Sequence, residues 1–195
     1  MKRTWWFAFL VAVSSIFFAL YPSITFAENS YIVFKPGIYL PQYEHGFLED
    51  EKFDDDIALG AAWGVYYNKN IAAELEISYF QTKGEIINSG PDLREQVFNA
   101  FYNVKGIIPA GDVEIYGGGG IGVVISNAKI NPDHELNTNF GIQVLGGAIY
   151  NIKDNLFVGM EGKYLWSSSS FQSGTLTKDV QFDGIFITGI VGTKF

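Results

Sequence analysis

The stretch IAAELEISYFQ, Ile71 to Gln81, alternates along its whole length. Ile71, Ala73, Leu75, Ile77 and Tyr79 share one face; Ala72, Glu74, Glu76, Ser78 and Phe80 share the other. Successive side chains of a strand point to opposite sides, so a period of two reads as a strand with one apolar and one mixed face. The two carboxylates sit on the mixed face. Whether that face meets water outside the molecule or is enclosed within it decides the fold.

The same pattern recurs on both sides of this stretch. In VFNAFYNVKGII, Val97 to Ile108, Phe98, Ala100, Tyr102, Val104 and Ile108 oppose Asn99, Asn103 and Lys105. In LFVGMEGKYLW, Leu156 to Trp166, Leu156, Val158, Met160, Tyr164 and Trp166 oppose Glu161 and Lys163. Eight strands are expected near 30–42, 57–67, 71–84, 95–108, 113–127, 137–150, 155–167 and 181–195. Asn68 to Asn70, Pro109 to Asp112 and Asn151 to Asp154 carry turn-forming residues and read as tight hairpins. Longer polar loops are expected at 43–56, 85–94, 128–136 and 168–180. Short turns at one end and long loops at the other describe an antiparallel up-and-down meander. Such a sheet can close on itself and remove its exposed edges.

Two closed barrels compete. A soluble barrel turns its apolar face inward; a membrane barrel turns it outward. The mixed faces carry Lys35, Glu74, Glu76, Lys105, Glu114, Glu161, Lys163 and Lys194, four acids and four bases. A balanced set suits an enclosed lumen, where an unpaired charge is costly, and is sparse cover for a whole solvated surface. The apolar rows end in aromatics: Tyr67, Tyr150 and Phe195 beside the short turns, and Tyr79, Phe98, Phe140, Tyr164 and Trp166 toward the long loops. Two aromatic belts bounding an aliphatic band match the interface girdles of a transmembrane barrel. The expected fold is therefore all-β, an eight-stranded antiparallel up-and-down transmembrane β-barrel.

The 195-residue chain opens with Lys2-Arg3, the uncharged run Trp5 to Leu20, Pro22, and a small residue at Ala27 before Glu28. This is the layout of a secretory signal peptide, residues 1–27, cleaved after Ala27 to leave a barrel domain at 28–195. Removing its two basic residues from thirteen leaves eleven against twenty-one acids, a net charge of −10. Nucleic-acid phosphates would be repelled by such a chain. There is no cysteine. Disulfides and attachment as a lipoprotein at a cysteine near residue 27 are thereby excluded.

With these features the chain resembles small bacterial outer-membrane β-barrel proteins of the OmpA/OmpX type, in the outer membrane β-barrel domain family. The likeness spans residues 28–195 and rests on the signal peptide, the meander and three local stretches: YGGGGIGVV (Tyr116 to Val124), GMEGKYLW (Gly159 to Trp166) and DGIFITGIVGTKF (Asp183 to Phe195). It implies residence in the outer membrane of a Gram-negative bacterium, both termini periplasmic and four loops outside. It also implies that Phe195, Val191 and Ile187 form a terminal signal read by the barrel-assembly machinery. Lipopolysaccharide and membrane lipid are the implied surroundings of a monomer with no cofactor.

The candidate chemistry is thin. YGGGGIG lacks the Lys-Ser/Thr and the helix of a phosphate loop. Its Gly118, Gly120 and Gly122 instead make room for bulky lumen residues opposite. Some outer-membrane barrels are lipid A deacylases with a His-x-Ser-Asn site, which ISNAKINP (Ile125 to Pro132) partly resembles. Val124 occupies the histidine position, and the two histidines, His45 and His134, fall in expected loops, so Ser126 lacks a general base. Loop 43–56 collects Glu44, Glu49, Asp50, Glu51, Asp54, Asp55 and Asp56. It reads either as a solvated loop or as a site where divalent cations bridge carboxylates to lipid phosphates. Phe80, Phe101, Tyr116, Phe157 and Phe186 fall on lumen positions, which argues for a filled interior. The expected role is non-enzymatic, structural and interactive through the loops; the alternatives are a narrow channel or carrier for small apolar molecules and a lipid A-modifying enzyme.

Overall fold

The computed structural model describes residues 29–42, 56–84, 93–130, 133–153, 155–173, 176–181 and 183–195. The expected signal peptide and nearly all of loop 43–56 lie outside them. Nine strands follow one another: β1 Ser30–Pro41, β2 Asp56–Asn68, β3 Ile71–Gly84, β4 Leu93–Ala110, β5 Val113–Ile130, β6 Asp133–Asn151, β7 Leu156–Ser173, β8 Leu176–Gln181 and β9 Gly184–Lys194. Among the described residues there is no helix.

Every neighbouring pair is antiparallel, and β1 pairs with both β2 and β9, so the sheet closes. β8 and β9 form one stave of the barrel. Leu165 faces Gly184 and Ser168 faces Gln181, three steps along each chain, so the register against β7 runs on across the interruption. At that interruption Asp183 Oδ1 accepts the Ser167 amide at 3.0 Å in place of a ladder bond. The closed barrel therefore has eight staves.

The tilt follows from the register. From Tyr31, facing partners run through Gly64, Glu74, Asn103, Gly120, Gln143, Leu165 and Gly184, and the circuit returns to β1 at Pro41. One turn climbs from residue 31 to residue 41, a shear of ten for eight strands, which sets a tilt of roughly 40°. Phe140 and Tyr150, ten residues apart on β6, both point outward and are at least half exposed. At ~3.3 Å per residue and this tilt they stand roughly 25 Å apart, the height of the apolar band of a membrane barrel.

The strands locate the faces. Ile32, Phe34, Leu75, Ile77, Ile121, Val144 and Met160 lie on the outer wall, with Ile121 56% exposed. Lys35, Glu74, Glu76, Lys105, Glu161 and Lys163 are buried inside. That arrangement is the reverse of a soluble barrel.

Two expected loops are corrected. β5 runs to Ile130 and β6 starts at Asp133, so most of 128–136 is strand. β7 runs to Ser173 and pairs with β8, so most of 168–180 is a hairpin. Asp133 to Asn137 and Ser168 to Ser173 each hold a single large apolar residue, Leu136 and Phe171, so no apolar row marks these extensions in the sequence. The short turns are as expected: Ala110 faces Val113 across Gly111-Asp112, and Gly111 takes the left-handed conformation (φ 68°) that this two-residue hairpin needs.

Candidate functional site: a charged layer inside the barrel

The lumen is layered, and β1, β3 and β7 repeat the same order. From the short-turn end, β1 gives Tyr31 and Val33, then Lys35, then Tyr39; β3 gives Ala72, then Glu74 and Glu76, then Phe80. β7 gives Phe157, then Glu161 and Lys163, then Leu165. An apolar cluster near the turns holds Tyr31, Ile107, Tyr116, Ile149, Phe157 and Ile190. A second, toward the loops, holds Tyr39, Phe80, Phe101, Val124, Leu165 and Phe186. The charges lie between them.

Three ammonium and three carboxylate groups make up this middle layer. Lys35 Nζ donates to Glu74 and Glu76 at 2.8 Å each and to Glu161 at 2.9 Å. Lys105 donates to Glu74 at 2.6 Å and Glu161 at 3.2 Å, and Lys163 pairs with Glu76. All six side chains are buried, Lys35 at 1% exposure. Burial of an isolated charge is prohibitive, whereas a balanced set with every carboxylate shared between donors is tolerated. Neutral groups complete it: Tyr31 donates its hydroxyl to Glu74 at 3.0 Å, Tyr116 to Glu161 at 2.9 Å, and Gln143 Nε2 bonds Asn103 Oδ1 at 2.7 Å. The Lys105 and Lys163 ammonium groups also lie 4.6 and 4.7 Å from the ring centres of Tyr116 and Phe186.

Glu114 stands apart from the other six residues expected in the lumen network. It pairs with Lys194 at 2.5 Å and accepts from Tyr66 and Asn151 at 3.1 Å, forming a separate cluster at the short-turn mouth. Sequence reasoning missed the hydroxyl donors Tyr31 and Tyr66. Both fall on the parity of the charged face, which was the available signal.

Between the mouth and the charged layer is a cavity of about 20 Å³ bordered by Tyr31, Lys35, Tyr66, Glu74, Lys105 and Glu114. That is room for about one water molecule. Toward the loops, Tyr39, Phe80 and Phe186 stack with ring centres 4.1 to 5.3 Å apart and cover the layer.

The glycines divide by side. A Cβ at Gly64 would collide with the Tyr31 ring, at Gly120 with Asn103, and at Gly122 with Phe101. These inward glycines let neighbouring strands admit bulky side chains. Ser126 is fully buried and lumen-facing, and its Oγ has no partner among the described residues. The side chains of His45 and His134 lie outside the described residues. Phe195, Val191 and Ile187 are exposed on the outer wall, and the Phe195 amide donates to the Ser30 carbonyl at 2.8 Å, closing the ladder at its end.

A closed antiparallel barrel, apolar outside and charged within, is an integral membrane β-barrel. The chain belongs to the outer membrane protein beta-barrel domain family, whose model matches residues 10–190. It is an outer-membrane protein of the Gram-negative cell envelope. Among solved structures it is similar to Neisserial surface protein A, with a TM-score of 0.60, 13% identity, and coverage of 86% of this chain and 100% of that one. It is similar to OprG from Pseudomonas aeruginosa (TM-score 0.57, 15% identity, 87% and 97% covered) and to Ail of Yersinia pestis (0.52, 15%, 87% and 99%). No individual curated protein matches the chain. At these identities the structural likeness carries the fold.

Proposed function

We propose that this protein is a non-enzymatic, monomeric outer-membrane anchor that presents its long-loop end outside the cell and its short turns to the periplasm. The observation that carries the reading is the filled lumen. A conducting barrel needs a continuous aqueous path, but here a paired charged layer lies between two apolar clusters and the adjoining free space matches about one water. Short turns on the periplasmic side and longer connections outside are the usual orientation of bacterial outer-membrane barrels.

The activity of such an anchor lies in its surroundings. Its wall contacts lipopolysaccharide and membrane lipid, and Phe195, Val191 and Ile187 serve as the signal for the assembly machinery. Loop 43–56 offers seven acids to a cation-bridged contact with lipid phosphate. Ail, an attachment invasion locus protein, has been seen with the heparin analogue sucrose octasulfate. An acidic loop suits a cationic or cation-bridged partner better than a sulfated polyanion. An acyltransfer role is disfavoured because Ser126 points into the lumen, away from the acyl chains outside the wall.

Single-channel recording in a planar bilayer tests the closed reading. A silent bilayer with inserted protein is expected. Discrete conductance steps would favour the second reading, a narrow channel or carrier, for which the apolar cluster toward the loops is the supporting observation.

A further inference from the structure

The ladder between the first and last strands is incomplete in its middle. β1 faces β9 from Tyr31–Lys194 to Phe34–Val191 and again from Gly37–Thr188 to Pro41–Gly184, but Lys35–Ile190 and Pro36–Gly189 are missing. The cause is local. The Phe195 amide bonds the Ser30 carbonyl, and the Tyr66 amide bonds the Asn29 carbonyl. In an antiparallel ladder, bonded pairs recur every second residue. Even-numbered residues of β1 therefore bond toward β9, and odd-numbered ones toward β2. Pro36 is even-numbered and has no amide hydrogen, so its deficit falls wholly on the seam with β9. The β1–β2 ladder runs unbroken through Pro36–Leu59.

Both ends of this seam are well secured, by Phe195 to Ser30 at 2.8 Å and by Gln42 to the Asp183 carbonyl at 2.9 Å. In a bilayer no water replaces a missing backbone donor, so the middle is the weak stretch. Directly beside it, Lys35 points inward. Its ammonium bonds no residue of either adjacent strand: Glu74 and Glu76 lie on β3, beyond β2, and Glu161 lies on β7, beyond β9.

We propose that the β1–β9 seam is the built-in opening line of this barrel and that Lys35 is its clasp. The ammonium draws β3 and β7 together across the weak stretch, and its release lets the seam part toward the surrounding bilayer. Lys35 is thus a positioning residue for barrel closure. The role is separable from the anchor reading: a seam as firm as every other ladder would leave the plugged barrel intact.

Residue-resolved amide exchange of the refolded protein in lipid nanodiscs tests this. In the wild type, the Gly189 and Val191 amides should exchange faster than those of Gly117 and Gly119 in the unbroken β4–β5–β6 ladders. Pro36→Val restores a donor and should slow β9 exchange roughly fivefold, the worth of one hydrogen bond. Lys35→Met should speed β1 and β9 at least tenfold more than β4 and β5. If Lys35→Met fails to refold, Pro36→Val decides alone. Equal exchange in all ladders of the wild type, no slowing in Pro36→Val, or uniform acceleration in Lys35→Met would overturn the proposal.

Discussion

Glu161→Gln is the sharpest probe of the charged layer. The change is isosteric and removes one negative charge from a set of three against three. Glu161 accepts from Lys35 at 2.9 Å, Lys105 at 3.2 Å and Tyr116 at 2.9 Å. After substitution, Lys35 retains two carboxylates and Lys105 retains Glu74 at 2.6 Å, so no ammonium is stripped bare, yet the lumen holds one uncompensated positive charge. A unit pair at about 4 Å is worth about 4 kcal/mol at an effective dielectric near 20. Breaking a buried pair costs about 3–5 kcal/mol. We expect a loss of about 3 kcal/mol, at the low end, because Gln keeps an acceptor oxygen. Urea unfolding in lipid vesicles measures it. Glu114→Gln is the control: the Glu114 and Lys194 side chains are 15% and 23% exposed at the mouth, so its loss should stay below about 1 kcal/mol. Lys105→Met added to Glu161→Gln restores two against two and should recover part of the loss. Equal, small effects of Glu161→Gln and Glu114→Gln would mean that water reaches the layer freely, and the sealed-lumen argument would fail.

The outer wall, the glycines and the terminus give further tests. Val144→Lys places a charge on the lipid side and should cost about 2–4 kcal/mol in the same vesicle assay; a neutral result would return the wall to water. Gly122→Val drives a side chain into Phe101 and should destabilise by about 1–3 kcal/mol, whereas Gly162→Val, with open space around its would-be Cβ, should be neutral or slightly stabilising. Reversed effects would invalidate the face assignment. Deleting Phe195 should lower insertion into the outer membrane of cells while leaving refolding in detergent nearly unchanged, read by fractionation and by the heat-modifiable band. Equal insertion would remove Phe195 from the assembly signal.

The parity of a strand is visible in its sequence because burial differs between its two faces, and that made the fold legible. Glu74 and Glu76 in one strand, Lys105 in the next and Glu161 with Lys163 in a third could be placed inside before their partners were known. Their pairing could not be read, because it depends on a shear of ten that only the assembled register defines. Glu114 shows the difference: its parity is right, but its height puts it at the mouth with Lys194. The extensions of β5 to β8 failed in the opposite way. Ser168 to Ser173 and Asp133 to Asn137 each contain one large apolar residue, Phe171 and Leu136, so hydrophobic period has too little to report within either stretch.

Charge in the lumen also answers a problem of orientation. A strand pattern slipped by one residue exchanges its faces completely. If both faces were apolar, an eight-stranded meander could close with either face toward lipid. Placing Lys35, Glu74, Glu76, Lys105, Glu161 and Lys163 on one parity makes the inverted barrel prohibitive, since six charges would then face hydrocarbon. The correct barrel lets them neutralise one another at 2.6 to 3.2 Å. Buried ion pairs are weak evidence for stability in themselves, and well-packed apolar residues could hold the lumen as firmly. Their advantage here is directional. The apolar clusters on either side supply packing, and the charged layer between them decides which way every strand must face.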